Sequence, residues 1–188
     1  MWRANSMEAL FTGLGALYLA KCDAAKSGQA FQAFLPAGAL VRAAERLLKA
    51  NYFIEDICAV DCVEGYVVVY HFDHFETPGR LTLRVLVPHD APSLPSIAGI
   101  FQGAEWHERE TRDFHGVLFT GNPNFIPLLI DPEMADCFPL RKGEKARSKA
   151  KDMLEAGEVI FVSPAFTLMT PDAPAEVKES GGDQPATA

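Results

Sequence analysis

The sequence predicts an α+β domain: a small mixed or antiparallel sheet with helices packed on one face, followed by a charged helix and an extended C-terminal arm. Three observations carry that expectation. Apolar side chains change period along the chain, from the 3.6-residue stripe of Leu40, Ala44, Leu47 and Leu48 to the β-branched run Val67-Val68-Val69. Hydrophobic residues make up 48% of the 188 residues and charged residues 22%, values at which a packed core forms. Beyond Gly116, apolar segments are broken repeatedly by glycine and proline, which suits an extended path and no further long helix.

In chain order, residues 7–21 read as a helix with Leu10, Leu14, Leu17 and Tyr18 on one side. Residues 29–35 alternate enough for a short strand. Pro36 suits a first helical turn, and the stripe behind it predicts a helix to Ala50. Residues 52–61 read as a mixed strand, and residues 66–72 as a buried one. Thr77-Pro78-Gly79 then turns the chain into 80–87, where Leu81, Leu83, Val85 and Val87 alternate with polar neighbours, so these last two strands form an antiparallel hairpin. Residues 88–95 read as loop, 96–101 as a short helix and 104–115 as the charged helix, which Gly116 can close in the left-handed conformation. A further helix is expected over 148–156 and an extended segment over 159–168. From Thr170 onward, Pro, Ala, Glu, Gly and Asp predominate, a composition expected to be disordered. The expected organisation is an N-terminal helical segment (1–28), an α+β core (29–116), a partner-binding arm (117–169) and a tail (170–188).

Net charge of −8 argues against general nucleic-acid affinity, which needs a basic footprint. One stretch runs the other way: Arg141, Lys142, Lys145, Arg147, Lys149 and Lys151 lie close together against Glu144 alone. Such a segment is either solvated or seeks an anionic surface, and a free-standing module gripping an anionic partner is the alternative reading of the chain. The apolar run 10–20 is short of the roughly 20 residues that span a bilayer, and Lys21 stands where an export signal needs a small residue. Cys22, Cys58, Cys62 and Cys137 have no metal or cluster spacing. Cys58 and Cys62 would share a strand face as core thiols, consistent with a reducing compartment.

Few chemical motifs survive inspection. His107-Glu108 lacks the second histidine of a zinc-protease helix, because Thr111 occupies that position. His71 and His74 with Glu76 form the best metal-like cluster, at a strand end beside a turn. Gly13 and Gly15 imitate a nucleotide loop, but no strand precedes them. On the charged helix Glu105 and Arg109, Glu108 and Arg112, and Arg109 and Asp113 are four apart, the spacing of surface ion pairs worth roughly 0.2–0.5 kcal/mol each.

The densest pattern is Glu108-Arg109-Glu110, Asp113-Phe114, Gly116-Val117-x-Phe119-x-Gly121-x-Pro123, then Pro139-Leu140-Arg141-Lys142. It resembles the thirty-kilodalton subunit of proton-pumping NADH:quinone oxidoreductase (respiratory complex I), or its equivalent in related membrane-bound dehydrogenases and hydrogenases. The chain departs from that family at Gly121-Asn122-Pro123, where histidine is usual at the middle position, at Phe125-Ile126-Pro127, and at Cys137-Phe138 and Gly143 around the final motif. The resemblance implies a non-catalytic, cofactor-free protein in the peripheral arm of a complex that passes electrons from NADH to quinone and pumps protons. FMN, iron–sulfur clusters and quinone would reside in partners. Those partners would be the large quinone-site subunit and the cluster-bearing subunits, on the cytoplasmic side of the inner (plasma) membrane. By the same resemblance, Glu108, Arg109, Glu110, Asp113, Arg141 and Lys142 are expected at partner contacts, exposed in the free chain; no residue is expected to be catalytic, cofactor-binding or metal-binding.

Overall fold

The computed structural model describes residues 4–134 and 136–169, with only the backbone of 4–6 and 169. The first helix, α1 (Ala4–Phe11), is far shorter than its apolar stripe suggests. It ends because Gly13 and Gly15 take left-handed backbone at φ 72° and 70°, which side-chain-bearing residues adopt at a cost. The remaining apolar residues form strand β1 (Tyr18–Cys22), a correction to the helix expected over 7–21. A four-residue helix, α2 (Ala24–Ser27), capped by the Asp23 carboxylate, leads to β2 (Phe31–Phe34). Pro36 opens a 3-10 turn into α3 (Leu40–Lys49), which buries Leu40, Ala43, Ala44 and Leu47.

Strand β3 (Tyr52–Cys62) pairs antiparallel with β4 (Gly65–His74) across a tight turn, and β4 pairs antiparallel with β5 (Leu81–Val87). The hairpin expected between the last two is present, with Phe72 opposite Leu81. Because β2 and β5 pair in parallel, the sheet runs β3-β4-β5-β2-β1 and is completed by β8 (Gly157–Val162), antiparallel to β1. Between β5 and β8 come β6 (Ser93–Pro95), the charged helix α4 (Ala104–His115) and β7 (Leu118–Thr120), which pairs in parallel with β6. The helix expected over 96–101 is a single turn after β6, and that expected over 148–156 is a 3-10 turn at Ala150–Met153. The tail from Thr170 lies outside the described residues.

Helices cover one face of the sheet. Met7, Phe11, Leu40, Leu47, Phe101 and Ala104 meet Leu19, Ala33, Val68, Tyr70, Leu83 and Val85 in one continuous core. The C-terminal arm supplies the other cover: Ala150 and Phe166 pack with Tyr18, Phe34, Cys62, Val67 and Val69. That cover is partial. Cys62 lies beneath it, 3.5 Å from the Met153 sulfur, whereas Cys58, four residues back along the same strand, lies beyond it and is exposed. Only one of the two expected core thiols is therefore in the core.

Candidate functional site

Helix α4 carries the pattern that singled out this region, and its charges do not face water. Glu108 is completely buried. Its carboxylate accepts from the Ser96 hydroxyl at 2.6 Å, the Ile97 N–H at 2.8 Å and the Asn122 side-chain amide at 2.8 Å. Burial pushes its pKa up, Glu105 adds to this, and the three donors oppose it. Arg109, also buried, donates through Nε to the Ile126 carbonyl and through a terminal nitrogen to the Pro127 carbonyl, while keeping an ion pair with Glu105 at 3.2 Å. One turn on, the buried Asp113 accepts three consecutive backbone N–H groups, from Leu128, Leu129 and Ile130, at 2.7–3.2 Å on one oxygen.

These contacts explain why so charged a helix packs against a sheet. Each charged group ends on backbone or on another side chain of this chain, so desolvation is offset by charge-assisted hydrogen bonds worth about 1.5–3 kcal/mol each. The expectation of an exposed ion-pair ladder is corrected accordingly. Of the three pairs, Glu105–Arg109 is made; Arg112 instead approaches Asp113 at 3.4 Å, with its guanidinium 5.1 Å from the centre of the Phe125 ring. Glu110 is half-buried and opens on a groove of about 340 Å³ between α4 and β3, lined also by Asp56, Cys58, His107 and Leu140.

A third carboxylate holds the arm farther along the chain. Asp61, on β3, has no exposed surface; it accepts from the Lys142 N–H at 2.7 Å, lies 2.8 Å from His89 Nε2, and forms an ion pair with Arg147 at 2.8 Å. Burial alone would raise its pKa, but the Lys142 N–H, His89 and Arg147 outweigh that and hold it below the ordinary aspartate value. Arg141 donates to the His115 carbonyl and lies 4.0 Å from the Phe138 ring centre and 5.8 Å from that of Tyr66. Gly116 closes α4 at φ 77°, and a Cβ there would collide with the Arg141 guanidinium and press on Phe138. Both the backbone angle and the space therefore require glycine. Farther along, the Ala150 N–H reaches Glu64 and the Val63 N–H reaches the Ser148 carbonyl, so the basic segment is pinned to the β3–β4 turn.

Of the six residues expected at contacts, Glu108, Arg109 and Asp113 are buried in the chain and bind the arm from α4, against the expectation of exposure. Arg141 and Lys142 are exposed where the arm meets the end of α4 and β3, and Glu110 lies apart in its groove. Sequence reasoning overlooked Asp61, Ser96 and Asn122, whose partners are remote along the chain. The arm also presents apolar side chains outward: Phe125, Ile126 and Leu129 are 37%, 57% and 62% exposed, and Trp106 on α4, with the Arg109 guanidinium 5.9 Å from its ring centre, is 61% exposed. The metal-like histidines have other duties: His71 bonds Asp56 at 2.7 Å, and His74 Nδ1 accepts the N–H groups of Glu76 and Thr77 in a turn. Among the described residues no cluster of three or more His, Cys, Asp or Glu could hold a metal ion, and no helix is long and apolar enough to cross a membrane.

Comparison with known proteins agrees with the sequence resemblance. The chain is 42% identical over 93 residues to a subunit of the NADH-quinone oxidoreductase of Roseiflexus sp. (strain RS-1), covering 48% of this chain and 53% of that one. It is 31% identical over 100 residues to a subunit of the F(420)H(2) dehydrogenase of Methanosarcina mazei, covering 50% and 63%. The chain thus spans about half to two-thirds of the length of these curated relatives. A chain of the membrane-bound sulfane sulfur reductase, an archaeal respiratory membrane complex, shares its fold with a TM-score of 0.63 at 24% identity, over 73% of this chain and 82% of that one. The trypsin-resistant fragment of Nqo5 aligns with a TM-score of 0.52 at 23% identity, over 64% and 96%. The profile of the family described as respiratory-chain NADH dehydrogenase, 30 Kd subunit, matches residues 34–150, which contain α4, the carboxylate anchors Glu108, Asp113 and Asp61 and most of the arm, and the chain belongs to that family.

Proposed function

We propose that the chain is a non-catalytic subunit in the peripheral arm of a complex I-type NADH:quinone oxidoreductase. In this reading it supports electron transfer from NADH to quinone, coupled to proton translocation, without holding FMN, cluster or quinone itself. Its partners are the quinone-site and cluster-bearing subunits, and it sits on the cytoplasmic side of the membrane, attached through them. Family membership supports the setting. The observation that carries the role is the apolar surface of Trp106, Phe125, Ile126 and Leu129, which buried charges of α4 hold out of the chain's own core. Exposed apolar patches of this kind mark protein contacts.

The six contact residues then divide by task. Glu108, Arg109 and Asp113 position the arm, whereas Glu110, Arg141 and Lys142 keep enough exposed surface to meet a partner directly. A related membrane-bound dehydrogenase or hydrogenase is favoured as the alternative setting by the likeness to the F(420)H(2) dehydrogenase. A free-standing module for an anionic partner is disfavoured at Arg147, whose guanidinium is already paired with Asp61.

Replacing Trp106, Phe125 and Ile126 together by serine tests the role. The isolated chain should keep its melting temperature within a few degrees, while co-purification with the membrane complex and NADH:quinone activity of the membranes fall at least tenfold. Normal assembly and activity in that variant would remove the arm from the interface. Growth on an alternative reduced cofactor with no loss of NADH oxidation would favour the related dehydrogenase.

A further inference from the structure

One carboxylate on α4 is left without a partner. Glu110 is half-buried, and among the described residues it has neither a hydrogen bond nor an ion pair. The cations beside it in sequence are engaged elsewhere. Arg109 pairs with Glu105 and bonds to the arm, and Arg112 turns to Asp113 and the Phe125 ring. A partly desolvated carboxylate with no counter-charge is costly to hold, and a fixed cation would offset that cost.

Glu110 lines the groove of about 340 Å³ between α4 and β3, whose walls include Ile57, Phe114 and Leu140. The other polar groups facing this groove leave Glu110 unmatched. Asp56 already has His71 Nδ1 at 2.7 Å, and the Thr111 hydroxyl donates to the Ile57 carbonyl. His107 makes no ion pair with Glu110 among the described residues. Burial, then Asp56 and finally Glu110 push the Cys58 thiol up to about 11 against the opposing Arg84, so this exposed thiol is uncharged. His115 keeps only 5% of its surface exposed, and its Nδ1 has no partner. Burial holds its pKa below the ordinary histidine value, Asp61 opposes this, and Arg141 and Lys142 add to it, so the imidazole is neutral. Arg141 itself is held on the His115 carbonyl and the Phe138 ring.

We infer that this groove receives a lysine or arginine side chain of a partner subunit, its charged head on Glu110 and its stem along Phe114 and Leu140. The inference rests on the subunit role proposed above and names the chemistry of one contact. An anion would meet Glu110 and Asp56, and a purely apolar side chain would desolvate Glu110 further without pairing it. A long cation suits both wall and carboxylate, because its stem is apolar and its head is not. A metal ion finds no cluster of three ligands among the described residues. Position agrees with charge. Trp106, exposed, stands one helical turn before Glu110 on the same face of α4, so a partner that covers it lies beside the groove. The free Nδ1 of His115 offers the entering chain one further hydrogen bond.

The test compares the full chain alone with the chain in the membrane complex. Glu110→Gln should leave the melting temperature of the isolated chain unchanged within a few degrees, since no partner is lost there. In the membrane it should lower co-purification with the complex at least tenfold, the loss expected when one desolvated ion pair is broken. Glu110→Asp, which keeps the charge, should restore most of that assembly. Cys58 supplies a second readout from inside the groove. Its alkylation by N-ethylmaleimide, followed by peptide mass, should be at least tenfold slower in the wild-type complex than in the free chain. Normal assembly of Glu110→Gln, beside failed assembly of the Trp106, Phe125 and Ile126 serine variant, would overturn this contact and leave the subunit role standing. Cys58 labelled equally fast in both states, or shielded in a dimer of the isolated chain, would overturn it too. A wild-type chain that co-purifies with no membrane complex would remove the role and the contact together.

Discussion

Helix α4 and strand β8 invert what their sequences suggest. The helix is dense in charge yet buries Glu108, Arg109 and Asp113, whereas the strand is almost wholly apolar yet lies largely exposed. Burial here follows the supply of partners more than hydrophobicity. The arm brings α4 a run of backbone donors and acceptors, and the fold brings nothing beyond β1 to cover β8 among the described residues. A charge-rich segment can therefore be part of the scaffold, and an apolar one part of the surface.

The sharpest way to break the comparison is at Glu108. Glu108→Ala strands a hydroxyl, a backbone N–H and an amide in a closed space and should lower stability by about 3 kcal/mol, read as a fall in melting temperature. A change below about 1 kcal/mol would mean that α4 behaves as a surface helix. Next in size is Gly116→Ala, expected to cost about 2 kcal/mol by combining left-handed strain with displacement of Arg141 from Phe138. Loss of protection from exchange at residues 138–142, with α4 intact, is the accompanying signature.

Acid should separate the two anchors. The Glu108 pKa is raised on folding, so its contribution is fullest below the ordinary glutamate value and is lost as pH rises through the folded value. Asp61 is the reverse: its contribution is present above the ordinary aspartate value of about 4 and is lost as pH falls through the depressed folded value. Hydrogen exchange measured through that acid range should show residues 142–150 loosening before the contacts of Glu108 with Ile97. Asp61→Asn should abolish the acid-induced step, and simultaneous loss of both anchors would contradict it. The smallest effect is expected at β8, where Val159→Thr should change stability by no more than about 0.5 kcal/mol because the side chain is half in water already.

Much of this was readable in the sequence. The bounds of α4, the Gly116 stop and the β4–β5 hairpin all follow from local periodicity and turn chemistry, which act within a few residues. The first helix was misread because Leu14, Leu17 and Tyr18 continue a helical stripe through Gly13 and Gly15, whose preference for left-handed backbone decides the matter. The anchors were unreadable for a different reason. Asp61 meets Lys142 and Glu108 meets Asn122 across spans that no periodicity links. Asn122 stands where the resembled family usually has histidine, and in this chain that position bonds Glu108.

Asp113 and Asp61 together also set an entropy balance. The chain is fixed on either side of the intervening residues, by Asp113 at Ile130 and by Asp61 at Lys142. Closing a loop of that length is an entropic cost that grows only slowly with length, and folding of the domain has already met it. A molecule docking on Leu129, Met134 or Leu140 meets a chain restrained at both ends, so binding has less backbone freedom to remove, of which each residue left unfixed would cost about 1–2 kcal/mol. Cutting the loop between Pro132 and Cys137 should accordingly leave the fold in place and weaken binding chiefly through entropy.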